Sequence, residues 1–313
     1  IDLNAYRING RHLTYDETIC LIQRHFEVYG EPDLVGLSGM ITTLRWQEKV
    51  VKMVRQILSN VFLVSGGGLA TELKTGLFNY IPELDAVARS EGDDIIVKIA
   101  YDAKVIKKLG FKKTSNSRKF VYQGNRPKDL DSVPFADLSL LEKDVFGNKL
   151  LEYYIGNPIW GGSANNSSAT SFTMNRSTTF VSSRGCPYSC AFCYRGAQGE
   201  RNYGMRSAEN LAEEFKLHIK KYGVDFIGMP DDNFAINHQR VVDLVPLLKP
   251  LNIRWGTHAR LDESDRFKLM AEAGCVYIGF GAESASPKVL KAMNKGGFIL
   301  NKKYRLKSVF FCH

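Results

Sequence analysis

From Thr178 to Gly296 the sequence alternates strand and helix, each short β-branched or apolar run being followed by a helical stretch. Thr178 to Ser182 reads as a strand, and Ser207 is a good N-cap for a helix over about 208–222 that Gly223 stops. Val224 to Met229 is the second strand, with a helix beginning near Asn237. Asn252 to Gly256 is the third, followed by a helix over Glu263 to Ala273 that Gly274 closes. Cys275 to Phe280 is the fourth, and Ser286-Pro287 opens a further helix ending at Gly296, N-cap and first-turn proline in order. Successive βα units confine a chain to a parallel sheet with helices outside it, and the chemistry of such folds sits at the carboxyl ends of the strands.

The residues after the first of these strands are Arg184-Gly185-Cys186-Pro187-Tyr188-Ser189-Cys190-Ala191-Phe192-Cys193-Tyr194. Half of the chain's six cysteines fall within eight positions. Thiolates so closely spaced are soft anionic ligands that one short loop can turn toward a metal or cluster. Three are one short of closing a tetrahedral zinc site or a four-iron cluster. The spacing therefore leaves two readings: a cluster with one iron open for chemistry, or a zinc knuckle completed by a distant His or Cys. A disulfide is disfavoured, because three clustered cysteines cannot all pair.

This loop resembles the signature of the radical S-adenosylmethionine (SAM) superfamily, C-x3-C-x-aromatic-C, including Phe192 before the last cysteine. The resemblance implies that Cys186, Cys190 and Cys193 hold a [4Fe-4S] cluster whose open iron chelates S-adenosylmethionine. Reductive cleavage then yields methionine and a 5′-deoxyadenosyl radical. It implies further that the Tyr194 backbone contacts the adenine with Phe192 packed nearby, and that Asp231, Asp232 and Asn233 receive the methionine ammonium. Arg260 would salt-bridge the ligand carboxylate, and Glu283 and Ser284 would meet the ribose hydroxyls. His258 reads as an ordinary satisfied polar residue, Ser286 as a helix cap, Cys20 and Cys275 as core, and the three tryptophans as packing residues.

The first part of the chain also alternates. Thr14-Tyr15-Asp16-Glu17 is a capping box opening a helix that stops at Gly30. Asp33 to Gly39 is a strand, Leu44 to Leu58 a helix, and Val61 to Ser65 a strand running into Gly66-Gly67-Gly68. A further strand near Ala86 leads to Ser90-Glu91-Gly92-Asp93. A glycine turn at a strand end lets a ligand approach the backbone, although a plain tight turn has the same composition. With Val35-Gly36-Leu37-Ser38 these segments resemble the cobalamin-binding domain that precedes many radical SAM domains. That implies corrinoid contacts at Ser38, Thr42, Gly66, Gly67, Gly68 and Glu91. None of the six histidines lies in an Asp-x-His-x-x-Gly run, so no histidine ligand to cobalt is indicated.

The expected architecture is α/β: a Rossmann-like cobalamin-binding domain (1–104), an interdomain connection (105–175) and a partial (β/α) radical SAM barrel (176–297) with about four of six βα units. An atypical tail (298–313) does not continue the barrel. The chain does not begin with Met, and Ile1-Asp2-Leu3 reads as the end of a strand, so truncation at both ends is expected. Hydrophobic content of 44% and charged content of 24% are those of a globular protein without a membrane-length apolar run, expected in the cytoplasm. The net charge of +9 is scattered in short clusters such as Lys107-Lys108, which argues against a specific nucleic-acid footprint.

The resemblance implies a radical SAM enzyme coupled to cobalamin, transferring a methyl group to an unactivated carbon of a small molecule, with a flavodoxin or ferredoxin as reductant. A cobalamin-dependent cyclase or ring-rearranging enzyme is the alternative within that class. A truncated non-catalytic cluster- or corrinoid-binding protein is the alternative outside it.

Overall fold

The computed structural model describes residues 1–110, 118–158, 173–193 and 203–295. A first sheet holds four parallel strands, β1 (Leu34–Ser38), β2 (Phe62–Gly66), β3 (Ala86–Arg89) and β4 (Phe120–Gln123), side by side in chain order. Phe62 and Val64 of β2 face Ala86, Tyr122 and the helix Ile96–Lys108. Leu63 faces the other way, with Val87, against the helices Leu44–Ile57 and Gly67–Leu73. A strand covered on both faces is apolar at every position, which is why Phe62-Leu63-Val64 shows no alternation. The capping box is formed: Glu17 N–H donates to Thr14 Oγ1 at 3.2 Å, Thr14 N–H donates to Glu17 Oε2 at 2.8 Å, and the helix Tyr15–Tyr29 ends at Gly30 with φ +86°.

The second sheet follows β5 (Ser177–Thr179). A short antiparallel pair, β6 (Ser183–Arg184) and β7 (Gly204–Met205), flanks the cysteine loop. Then come β8 (Phe226–Met229), β9 (Arg254–His258) and β10 (Cys275–Gly279), so that β5, β8, β9 and β10 lie parallel in chain order. The helices Ala208–Tyr222, His238–Leu248 and Phe267–Glu272 intervene. Ser207 caps the first of them, accepting from Asn210 N–H at 3.1 Å, and Gly223 ends it in the left-handed conformation. Leu211, Phe215, Ile227, Met229, Leu244 and Trp255 form one buried core between sheet and helices. This is the parallel α/β architecture that the alternating units require. Among the described residues, no helix is long and apolar enough to cross a membrane.

Several local expectations are corrected. Ile1-Asp2-Leu3 is not a strand end: Asp2 Oδ1 accepts from Asn4 N–H (2.9 Å) and Ala5 N–H (3.2 Å) and caps the helix Leu3–Ile8. Within 105–175, read as irregular connection, the helix Ile96–Lys108 is finishing and Phe120–Gln123 adds β4 to the first sheet. Four residues are too few to display a period. The expected helix over Glu263–Ala273 is a 3₁₀ segment, Leu261–Arg266, before the helix Phe267–Glu272. Its non-helical residue is Glu263, whose carboxylate turns inward to accept from Asn233 Nδ2 at 3.0 Å. Ser286 stands at an N-cap position without a side-chain cap bond; its N–H donates instead to Ser284 Oγ at 3.1 Å. Cys20 lies on a helix but is exposed. Trp255 is buried, its Nε1–H donating to Ala273 O at 2.8 Å, whereas Trp46 is 42% exposed with Lys49 over its ring. Trp160 and the tail after Gly297 lie outside the described residues.

Candidate functional site

The carboxyl ends of both sheets open into one cavity of about 840 Å³. Cys186, Cys190 and Cys193 line it from the loop after β6; Asp232, Arg260 and Glu283 from beyond β8, β9 and β10; Gly67, Gly68, Thr71, Ser90 and Glu91 from the first sheet. The cysteine loop leaves Arg184 through Gly185, whose φ of +79° is left-handed and suits a residue without a Cβ. Its far side is pinned by the segment after the helix Pro287–Ala292. Ala191 N–H donates to Met293 O at 2.8 Å, and Asn294 Nδ2 donates to Ser189 O (2.8 Å) and Oγ (2.9 Å).

All three thiols are free. Cys190 is buried, Cys186 half-buried and Cys193 exposed; burial pushes the thiols of Cys186 and Cys193 upward. Among the described residues, no three His, Cys, Asp or Glu side chains converge as they would on a single metal ion. A four-iron cluster does not need that convergence, because its thiolates bind separate corners. Three unpaired thiols on one cavity-lining loop are the donor set that such a cluster takes.

The residues expected to bind SAM divide sharply. Phe192 and Asp232 line the cavity, as do Arg260 and Glu283. Asp231 does not. It is 2% exposed and accepts from Ser182 N–H (2.8 Å), Ser183 Oγ–H (2.6 Å) and the Ser182 hydroxyl, anchoring the strand before the cysteine loop. Asn233 is fully buried and held by Glu263, and Ser284 sits in the turn before Ser286. Neither lines the cavity. Tyr194 lies outside the described residues.

Arg260 is more constrained than a simple carboxylate clamp. Its Nε and Nη2 donate to Asp262 at 2.9 Å each, its guanidinium stacks 3.9 Å over the Tyr188 ring, and Nη1 points at Cys190 Sγ, 3.7 Å away. Burial pulls its pKa down, but the Asp262 fork outweighs this and holds it protonated. Lys295 Nζ donates to Gly281 O (2.6 Å) and Glu283 Oε1 (3.0 Å) and lies 5.6 Å over the Phe192 ring. The sequence offered no sign of Lys295 or Asn294, because neither belongs to a local motif.

Of the expected corrinoid contacts, Gly67, Gly68 and Glu91 line the cavity; Ser38, Thr42 and Gly66 do not. Gly67 has φ +73°, and a Cβ there would lie 2.6 Å from Ser38 Oγ and 3.2 Å from the Gly39 backbone, so the chain itself requires this glycine. A Cβ on Gly68 would meet nothing nearer than Gly39 O at 4.0 Å. Gly67→Ala should therefore cost about 2 kcal/mol in chemical denaturation, whereas Gly68→Ala stays within about 0.5 kcal/mol. Equal effects would show that the left-handed conformation at Gly67 does not matter. Thr71 Oγ1 steadies this rim, donating to Gly67 O at 2.7 Å and accepting from Ser90 N–H at 3.0 Å.

A parallel α/β scaffold thus aims a three-cysteine loop, a stacked arginine and flanking acids into one cavity. Residues 180–300 match the model of the radical SAM superfamily. The chain is 28% identical over 297 residues to the uncharacterized methyltransferase PH0819 of Pyrococcus horikoshii, covering 91% of this chain and 58% of that protein. It is 24% identical over 278 residues to the anaerobic magnesium-protoporphyrin IX monomethyl ester cyclase of Cereibacter sphaeroides, covering 85% and 42%. It is also 26% identical over 212 residues to the cobalamin-dependent radical SAM methyltransferase TokK of Streptomyces tokunonensis, covering 66% and 28%. The chain spans about half the length of the first of these relatives.

Proposed function

We propose that Cys186, Cys190 and Cys193 hold a [4Fe-4S] cluster, that S-adenosylmethionine binds against it, and that cobalamin occupies the opposite rim at Gly67, Gly68 and Ser90. The reaction served is methyl transfer to an unactivated carbon of a small molecule. When bound, the cluster supplies the electron for reductive SAM cleavage and cobalamin supplies a methyl carrier. The observation that carries this reading is the shared cavity, in which one wall comes from the cysteine loop and another from the first sheet's strand ends. Two reactive groups facing one shared cavity need no diffusion between steps.

The chain's own residues have separable tasks. Asp232 and Glu283 offer carboxylates to the ammonium and hydroxyl groups of SAM. Phe192 and Tyr188 give apolar surface beside the cysteines. Arg260 holds positive charge against Cys190, offsetting the negative charge that thiolates bring. Gly68, with no side chain, leaves the first-sheet rim open.

Ring closure is the second reading, supported by similarity to a cyclase over 85% of this chain. The test is anaerobic reconstitution with iron and sulfide, then addition of cobalamin, methyl-labelled SAM, a flavodoxin or dithionite, and a lysate from the source cells. A labelled product with 5′-deoxyadenosine supports methyl transfer; 5′-deoxyadenosine without label in the product favours cyclisation. Cluster and cobalamin bound without any 5′-deoxyadenosine would make this a binding protein instead.

A further inference from the structure

Four charged side chains join the strand ends of the first sheet to β6, where the cysteine loop begins. Arg184, the last residue of β6, donates from Nη1 to Glu91 Oε2 (2.6 Å) and Asp93 Oδ2 (2.7 Å) and from Nη2 to Asp93 Oδ1 (3.2 Å). Arg126, just after β4, donates from Nε to Glu91 Oε1 (3.0 Å) and from Nη1 to the backbone carbonyl of Arg184 (2.9 Å). The chain thus closes a ring: Glu91 to Arg184 through the guanidinium, and Arg184 back to Glu91 through Arg126. The side chains of Glu91 and Arg126 are each 21% exposed, and those of Arg184 and Asp93 24% and 26%.

The segment carrying the two acids is itself fixed. A Cβ on Gly124 would fall 1.7 Å from Glu91 O, so only glycine allows the segment after β3 and the end of β4 to press together there. Asp94 accepts from Asn125 N–H, and Gly124 N–H donates to Arg89 O at 3.0 Å. On the other side, Ser183, next to Arg184, is held by Asp231. Arg184 holds the Asp93 carboxyl below the usual carboxylate range against opposing burial.

From this geometry we infer that Glu91, Asp93, Arg126 and Arg184 form a clamp that positions the cysteine loop over the first sheet's rim. Arg184 and Arg126 are positioning residues: they act through the backbone entering Gly185-Cys186. Bidentate, partly buried guanidinium–carboxylate pairs are stronger than isolated surface pairs, and here several share members. The clamp makes one cavity of two strand-end rims. Its consequence for turnover rests on the function proposed above, but the clamp itself can be tested without it.

The experiment is amide hydrogen exchange on the full chain without iron. Arg184→Met should speed exchange across 183–193 by about fivefold or more, in line with the loss of a charge-assisted pair. Exchange at 226–229 and 254–258 should stay unchanged. The Glu91→Gln, Asp93→Asn double variant cuts the clamp from the other sheet, so it gives the same answer if Arg184→Met fails to fold. Adding Arg184→Met to that double variant should produce no further increase, and Arg184→Lys should restore part of the protection. Unchanged exchange at 183–193 in both variants, or full additivity in the triple variant, would overturn the clamp. Iron binding by the same proteins after reconstitution should persist, since the three thiols lie on one loop. Its absence in the unsubstituted chain would instead count against the proposed function and leave the clamp standing.

Discussion

Alanine in place of Cys186, Cys190 or Cys193 should each abolish iron–sulfur binding in the reconstituted chain. Removing one thiolate leaves two, too few to hold a four-iron cluster with one iron open. The expected readout is loss of the broad visible absorbance, with bound iron falling from about four per chain to near zero. The effect should be as severe at exposed Cys193 as at buried Cys190, because the lost quantity is a ligand and not packing. Folding offers the control: Cys193→Ala should unfold with the unsubstituted protein, and only Cys190→Ala should show a modest decline. A full cluster retained in all three variants would refute the assignment. Zinc in the purified protein, with neither iron nor sulfide, would turn the loop into a zinc knuckle.

The second large effect separates two adjacent acids. Asp231→Ala should destabilise the fold by about 3–5 kcal/mol, whereas Asp232→Ala changes stability by less than about 0.5 kcal/mol. The Asp231 carboxylate is buried and meets Arg240 on Ser182, whose carbonyl accepts from Arg240 Nη1 at 3.0 Å while its N–H donates to Asp231. Arg240 also donates to Phe234 O at 2.7 Å and is 3% exposed, so losing Asp231 leaves a buried guanidinium short of compensating charge. Burial already pulls its pKa down. Asp232 is exposed and faces the cavity, so its loss should appear in SAM affinity. Urea denaturation with matched SAM binding reads both. Equal stabilities for the two variants would show that Asp231 does not anchor the cysteine loop.

The paired aspartates show where sequence reasoning ends. Both stand at the end of the second strand in the parallel sheet, and position alone assigned both to the ligand. Successive residues leaving a strand point in opposite directions, so one entered the cavity and its neighbour went beneath the loop. The three cysteines were legible because their chemistry is contained in eight consecutive residues. Helix starts at Thr14 and Ser207 and stops at Gly30 and Gly223 were legible too, since a cap is a contact between residues three or four apart.

What the tertiary structure decided lies across longer separations. Glu91 read as a ligand contact, yet its carboxylate meets Arg184, 93 positions away, and Arg126, 35 away. Asn294 holds the cysteine loop from 105 positions beyond it, and Phe120–Gln123 became a strand only by finding β3. The sequence by itself determined the grouping of the three thiols on one loop, the alternating strand–helix units and their caps, because each depends on neighbours that the chain brings together regardless of fold. Which acid faces the cavity and which closes a salt bridge was decided only in three dimensions, because a charged side chain takes its role from whatever opposite charge the packing of distant elements sets against it.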